Sequence, residues 1–142
     1  MNRVDEGEGS KAIALKAIRG VFIERDARVV QELFAPDYIQ HNPTIPNGRD
    51  AIAGLLGSLP EGFRYEPGMV AAEGSIVMIH GRYVGWAPEP MVAVDIFRVE
   101  NGRLVEHWDV MQAEVPAHET KSKNAMFTST RHITAPRPSE LR

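Results

Sequence analysis

The stretch Met91–Gln112, MVAVDIFRVENGRLVEHWDVMQ, constrains the fold more than any other part of the chain. Two runs of alternating apolar and polar residues flank Asn101-Gly102, a pair that tolerates positive φ and marks a tight β-hairpin. Because side chains alternate between the faces of a strand, the register of this hairpin decides which groups meet. A two-residue turn pairs Glu100 with Arg103 and sets Asp95 opposite Trp108. A three-residue turn with Gly102 left-handed, as a bulge, pairs Val99 with Arg103 and Asp95 with His107. The second register is preferred. One face then carries Ala93, Asp95, Phe97, Val99, Val105, His107 and Asp109. The other carries Val92, Val94, Ile96, Arg98, Leu104, Glu106, Trp108 and Val110. The preferred register gathers three titratable groups among apolar neighbours, as a pocket requires, and to that extent it presupposes a pocket.

With 142 residues, the chain is long enough for one domain with its own core. A net charge of −3 gives no electrostatic case for nucleic acid or an anionic membrane as partner. The absence of cysteine excludes disulfides, thiolate metal sites and a cysteine nucleophile. The N-terminus is acidic and polar, unlike a signal peptide, and no apolar run is long enough to span a bilayer. A cytoplasmic location is the expectation.

Residues 1–9 are polar and expected to be frayed or disordered. Ser10 can cap a helix reaching about Arg25, with Ala14, Leu15, Ile18, Val21 and Phe22 on one face and Gly20 as an interruption. Asp26 caps a second, shorter helix that turns Val30, Leu33 and Phe34 inward and ends at Pro36. Tyr38–His41 is a short strand, followed by a loop to Gly48. A third helix runs from Arg49 to about Leu59. Strands follow over Phe63–Ala72 and Ser75–Trp86, and the linker ending at Pro90 leads into the hairpin. Met126-Phe127 is the last apolar anchor. The domain is therefore expected to span residues 10–128, with a flexible tail over 129–142. Strands gathered after helices indicate an α+β fold. A curved, cone-shaped antiparallel or mixed sheet would wrap on about three N-terminal helices.

Several residue types here can carry chemistry. Asp95 lies between Val94 and Ile96 on a strand that reads as buried, where aspartate is uncommon without a partner. Its alternative role is a structural hydrogen bond to a loop or helix end. His107 and Asp109 are two apart on a strand and point the same way, as an oriented acid/base pair would. The alternative is a surface pair on an edge strand, which Trp108 on the opposite face disfavours. Pairing Val84 with Met91 places His80 opposite Asp95, as a pocket residue or a satisfied core histidine. His41 and Asn42 stand at the mouth of the sheet, where loops often carry function, although Asn42 also suits a turn. Tyr38 could donate to a substrate oxygen or pack in the core. Phe97, Trp86 and Met126 are candidates for apolar contact with a ligand. No phosphate-cradling loop, nucleophile elbow or H-E-x-x-H motif is present. His41, His80, His107 and a carboxylate could bind a metal in principle, but no spacing fixes such a site, and neither metal nor cofactor is expected.

The strings FAPDYIQHNPTIPNGRDAI, VDIFRVENGRLVEHWDVMQ and NAMF resemble the SnoaL-like proteins, within the superfamily of nuclear transport factor 2, ketosteroid isomerase and scytalone dehydratase. The resemblance runs from Glu24 to Phe127. It implies a cone-shaped α+β fold, usually a homodimer formed through the outer face of the sheet. It also implies a link to polyketide cyclases, which close a ring by intramolecular aldol condensation without metal or cofactor. Their acid/base aspartate lies in the final strand, where Asp109 is the nearest counterpart. His107 precedes it in E-H-W-D, His41 and Asn42 fall in Y-I-Q-H-N-P, and Asp95 falls in D-I-F-R. No role for His80 follows from the resemblance. The aspartate–arginine–aspartate set of limonene epoxide hydrolases is not evident. Together these readings predict a cofactor-independent enzyme acting on a small hydrophobic ketone-like compound. Asp109 or the Asp95/His107 pair would be the base, and His41 or Tyr38 would stabilise an enolate oxygen. A ligand-binding or scaffold dimer without turnover is the rival.

Overall fold

Four strands that follow one another in the chain form the expected meander, and a fifth joins it from the N-terminal half. The computed structural model describes residues 3–129. In order they form α1 (Arg3–Phe22), α2 (Ala27–Leu33), β1 (Phe34–Gln40), α3 (Arg49–Ser58), β2 (Arg64–Glu73), β3 (Ile76–Val84), β4 (Met91–Glu100), β5 (Arg103–Ala113) and a single 3-10 turn (Ala117–Glu119). The sheet order is β1-β5-β4-β3-β2. β1 lies parallel to β5 and every other pairing is antiparallel. The result is the expected α+β cone, with helices packed on one face of a curved mixed sheet.

The first helix corrects the sequence reading at its start. It begins at Arg3, not after Ser10, so residues 3–9, expected to be frayed, are helical. Asp5 and Glu6 in its first turn suit the positive end of the helix dipole. Its buried stripe continues backwards from Ala17 and Ala14 through Ser10 to Gly7, small residues that let the helix lie close to β2. Gly20 serves a similar purpose against α2. A Cβ there would stand 2.6 Å from Val29, so the roughly 1 kcal/mol helix cost of glycine is offset by close helix packing.

Asp26 caps α2 as expected, accepting from the Arg28 backbone N–H at 2.9 Å. The helix stops at Leu33, before Pro36 requires it, because Phe34 is already extended and paired with Leu104. The strand expected from Tyr38 thus begins four residues earlier and contains Pro36. Proline is tolerated there because β1 is an edge strand and its register with β5 shifts between Phe34 and Ile39.

The hairpin corrects the sequence reading in detail and keeps its consequence. Asn101 (φ 50) and Gly102 (φ 76) are both left-handed, giving a two-residue turn closed by Glu100 and Arg103. It replaces the expected three-residue turn. A bulge then falls at Val105: Val99 pairs with Leu104, but Arg98 pairs with Glu106. The extra residue restores the alternation that a two-residue turn alone would invert. Asp95, Phe97, His107 and Asp109 therefore share a face, with Asp95 opposite Asp109 and Phe97 opposite His107. Leu104 moves to the inner face and is fully buried. The β3–β4 register also differs by one residue from expectation. Tyr83, not Val84, pairs with Met91, which sets Ile79 opposite Asp95 and turns His80 outward.

Beyond β5, the ring of Phe127 lies 5.7 Å from that of His80, on the outer face over Gly68. Apart from Ser129, the expected flexible tail lies outside the described residues. Among those residues, no helix is long and apolar enough to cross a membrane.

Candidate active site

Strand alternation delivers Asp95 and Phe97 from β4, and His107 and Asp109 from β5, to the concave face under the helices. Asp95 and His107 are almost fully buried. His107 Nε2 lies 2.7 Å from Asp95 Oδ1 and 3.8 Å from Asp109 Oδ2. The Tyr83 hydroxyl donates to Asp95 Oδ2 at 2.6 Å. The other ring nitrogen, His107 Nδ1, lies 2.5 Å from Gln40 Oε1. Asp109 Oδ2 accepts from Asn42 Nδ2 at 2.7 Å. The Asn42 amide oxygen in turn accepts from the Thr44 backbone N–H (2.9 Å) and hydroxyl (2.8 Å), a local turn that orients the amide.

These groups close the inner end of a cavity of about 30 Å³, room for a water or two. Tyr38, Phe34 and Phe97 form its walls, while Ile45, Leu55, Trp86 and Met111, all partly exposed, form its mouth. Apart from His107, no basic side chain lines it among the described residues. Burial, and next the charge of Asp95, push the phenols of Tyr38 and Tyr83 well above their usual range. Both therefore stay protonated and act as hydrogen-bond donors.

Asp95, His107 and Asp109 also have donor atoms within 4.8 Å of one another, and histidine with two carboxylates is a donor set that divalent cations accept. The fit is imperfect. Asp95 Oδ1 and His107 Nε2 already sit at hydrogen-bond distance from each other, a contact that a cation would have to displace.

The structure thus brings together Asp95, His107, Asp109, Tyr38, Asn42, Phe97 and Trp86. It does not bring three other expected residues to this cavity. His41 belongs to the outer face, where its ring stacks on Trp108 at 5.0 Å and bonds Glu106 at 2.8 Å. It is one residue past the inward-facing Gln40, so strand parity carries it away. His80 is outward because of the one-residue slip in the β3–β4 pairing. Met126 lies in the C-terminal segment, where its sulfur accepts from the Val115 backbone N–H. Two contributors escaped the sequence reading. Tyr83 shares its strand face with the buried Val77 and Ile79, which was the available signal. Gln40 is two residues beyond Tyr38 and so shares its face, but only the parallel pairing with β5 places it beside His107.

The sequence profile of the SnoaL-like domain matches residues 15–107. A search of curated proteins finds no significant match. Solved structures match well in shape. A nuclear transport factor 2-like protein of unknown function from Mesorhizobium loti is 24% identical with a TM-score of 0.64, covering 75% of this chain and 93% of that one. An epoxide hydrolase from M. tuberculosis is 18% identical with a TM-score of 0.61, covering 75% and 85% respectively. A Kribbella flavida protein named provisionally as a ketosteroid isomerase is 19% identical with a TM-score of 0.60, covering 96% and 95%. At these identities the likeness concerns the fold, and the different names on one fold show that the site must decide the chemistry.

Proposed function

The chain belongs to the SnoaL-like domain family, and on that premise we propose that it is a cofactor-independent acid/base enzyme acting on a small hydrophobic ketone. The observation that carries this reading is the convergence of Asp95, His107 and Asp109 at the end of an aromatic cavity. With Oδ2 engaged by Asn42, Asp109 offers Oδ1 to a proton α to the substrate carbonyl. The C–H electron pair moves into the enolate, and the Tyr38 phenol donates a hydrogen bond to the resulting oxygen. The proton held between His107 and Asp95 is then available for return to carbon or oxygen. Isomerisation, aldol closure and dehydration all begin with this step. A cation is not needed in it. An epoxide-opening role has less support, because no arginine lines the cavity among the described residues. The outward apolar side chains Val94, Ile96, Trp108 and Val110 support a homodimer through the outer sheet face.

One observation favours a second reading. The cavity is small, about 30 Å³, and aromatic side chains such as Phe34, Tyr38, Phe97 and Trp86 crowd it, as in a binding or scaffold domain. Deuterium incorporation into a panel of cyclic ketones, followed by NMR with a chelator present, separates the two. The enzyme reading expects exchange that Asp109→Asn reduces at least about 100-fold, the scale of a lost general base. The variant should keep its melting temperature, since the new amide oxygen can still accept from Asn42. Absence of exchange in the wild type across the panel would count against the enzyme reading and favour the scaffold.

A further inference from the structure

We propose that Gln40 is a positioning residue: it holds the His107 ring in the form protonated at Nδ1, so that Nε2 faces Asp95. The argument starts from the backbone. Asn42 donates its backbone N–H to Gln40 Oε1 at 3.0 Å, which fixes the Gln40 amide with its oxygen, not its nitrogen, toward the site. The same oxygen meets His107 Nδ1. An acceptor cannot face an acceptor at that distance, so Nδ1 carries the proton. The parallel pairing of Gln40 with His107 holds the two side chains in register. On the far side of the ring, Asp95 Oδ2 already accepts the hydrogen bond of the Tyr83 hydroxyl, leaving Oδ1 as the partner of Nε2. One further proton is then shared along the Nε2–Oδ1 axis, beside Asp109.

The Gln40 side chain bonds the His107 ring and the Asn42 backbone, so its effect on the carboxylates passes through the imidazole. This role deepens the acid/base reading and rests on it only for its effect on rate. The ring's protonation is a property of the protein without substrate.

The test uses full-length protein labelled with ¹⁵N in its histidine rings. In the wild type, the His107 Nδ1 resonance should be that of a protonated nitrogen, with a slowly exchanging proton. In Gln40→Leu that proton signal should vanish and the ring should move to the form protonated at Nε2. Gln40→Glu, which keeps an acceptor oxygen, should retain the Nδ1 proton. Where ketone exchange is measurable, Gln40→Leu should lower its rate about 10–100-fold, the range for losing a partner that orients a histidine, with little change in KM. An unprotonated Nδ1 in the wild type overturns the proposal. So does a Gln40→Leu variant with an unchanged His107 spectrum. If Gln40→Leu does not fold, the wild-type and Gln40→Glu spectra decide. Loss of ketone exchange in every form, with the predicted spectra intact, would remove the enzyme reading and leave the positioning role standing.

Discussion

The two histidine–carboxylate pairs that β5 helps to build differ in almost everything except their geometry. His107 meets Asp95 at 2.7 Å and His41 meets Glu106 at 2.8 Å. The inner pair has side chains 7% and 6% exposed, whereas the outer pair is 44% and 17% exposed. Around the inner pair, Tyr83, Gln40 and the nearby Asp109–Asn42 contact occupy the remaining polar positions. Around the outer pair, Arg98 bonds Glu106 at 3.0 Å and Trp108 stacks on His41, but water reaches both partners. The lesson is that a motif such as E-H-W-D contributes one member to each of two potential acid/base pairs, Glu106 to the outer and His107 to the inner, and burial, not distance, distinguishes them. In water the interaction is screened and the ligand cannot be enclosed. In the cavity the same contact constrains where each proton lies.

This contrast predicts unequal mutational effects. The largest is expected at Asp95. Asp95→Ala leaves the buried Tyr83 hydroxyl and His107 ring without their carboxylate partner, at a cost of about 3 kcal/mol or more. Thermal unfolding should show a fall on the order of 10 °C. Asp95→Asn should lose much less stability, because its amide oxygen can accept from Tyr83 while its N–H donates to His107 Nε2. Equal melting temperatures for the two variants would break the comparison.

An intermediate effect is expected on assembly. Val110, 71% exposed on the outer face, should lie in the proposed homodimer contact. Light scattering at micromolar concentration should give a dimer for the wild type and a monomer for Val110→Asp. A monomeric wild type would remove the dimer proposal.

The smallest effect is expected at Glu106. Its carboxyl is held below its ordinary value of 4.5, first by the His41 hydrogen bond and then by Arg98. A depressed carboxylate contributes stability that is present above the unfolded-state value and lost as pH falls through the folded one. Glu106→Gln should therefore destabilise by at most about 1 kcal/mol at neutral pH. The difference from wild type should shrink as acid is added below about pH 4.5. A difference that grows in acid would contradict the sign.

Much of this was legible in the chain. The Asn101-Gly102 turn, the Asp26 cap and the apolar periodicity locate most elements, because those signals are local. The start of α1 was obscured because its buried stripe there consists of Gly7 and Ser10, which carry no hydrophobic signal. His41 was misplaced for a different reason: one residue of strand parity separates it from Gln40, and the bulge between Phe34 and Ile39 sets that parity.

By itself, then, the sequence determined an α+β chain with a hairpin that carries Asp95, His107 and Asp109, since alternation and turn chemistry act over a few residues. Tertiary structure decided which of these groups meet. The Val105 bulge, the Tyr83–Met91 register and the parallel docking of β1 depend on how the strands fit beneath the helices. Each moves side chains between faces by a single residue. A one-residue shift leaves local propensity almost unchanged, yet it carries a side chain from the cavity to the solvent.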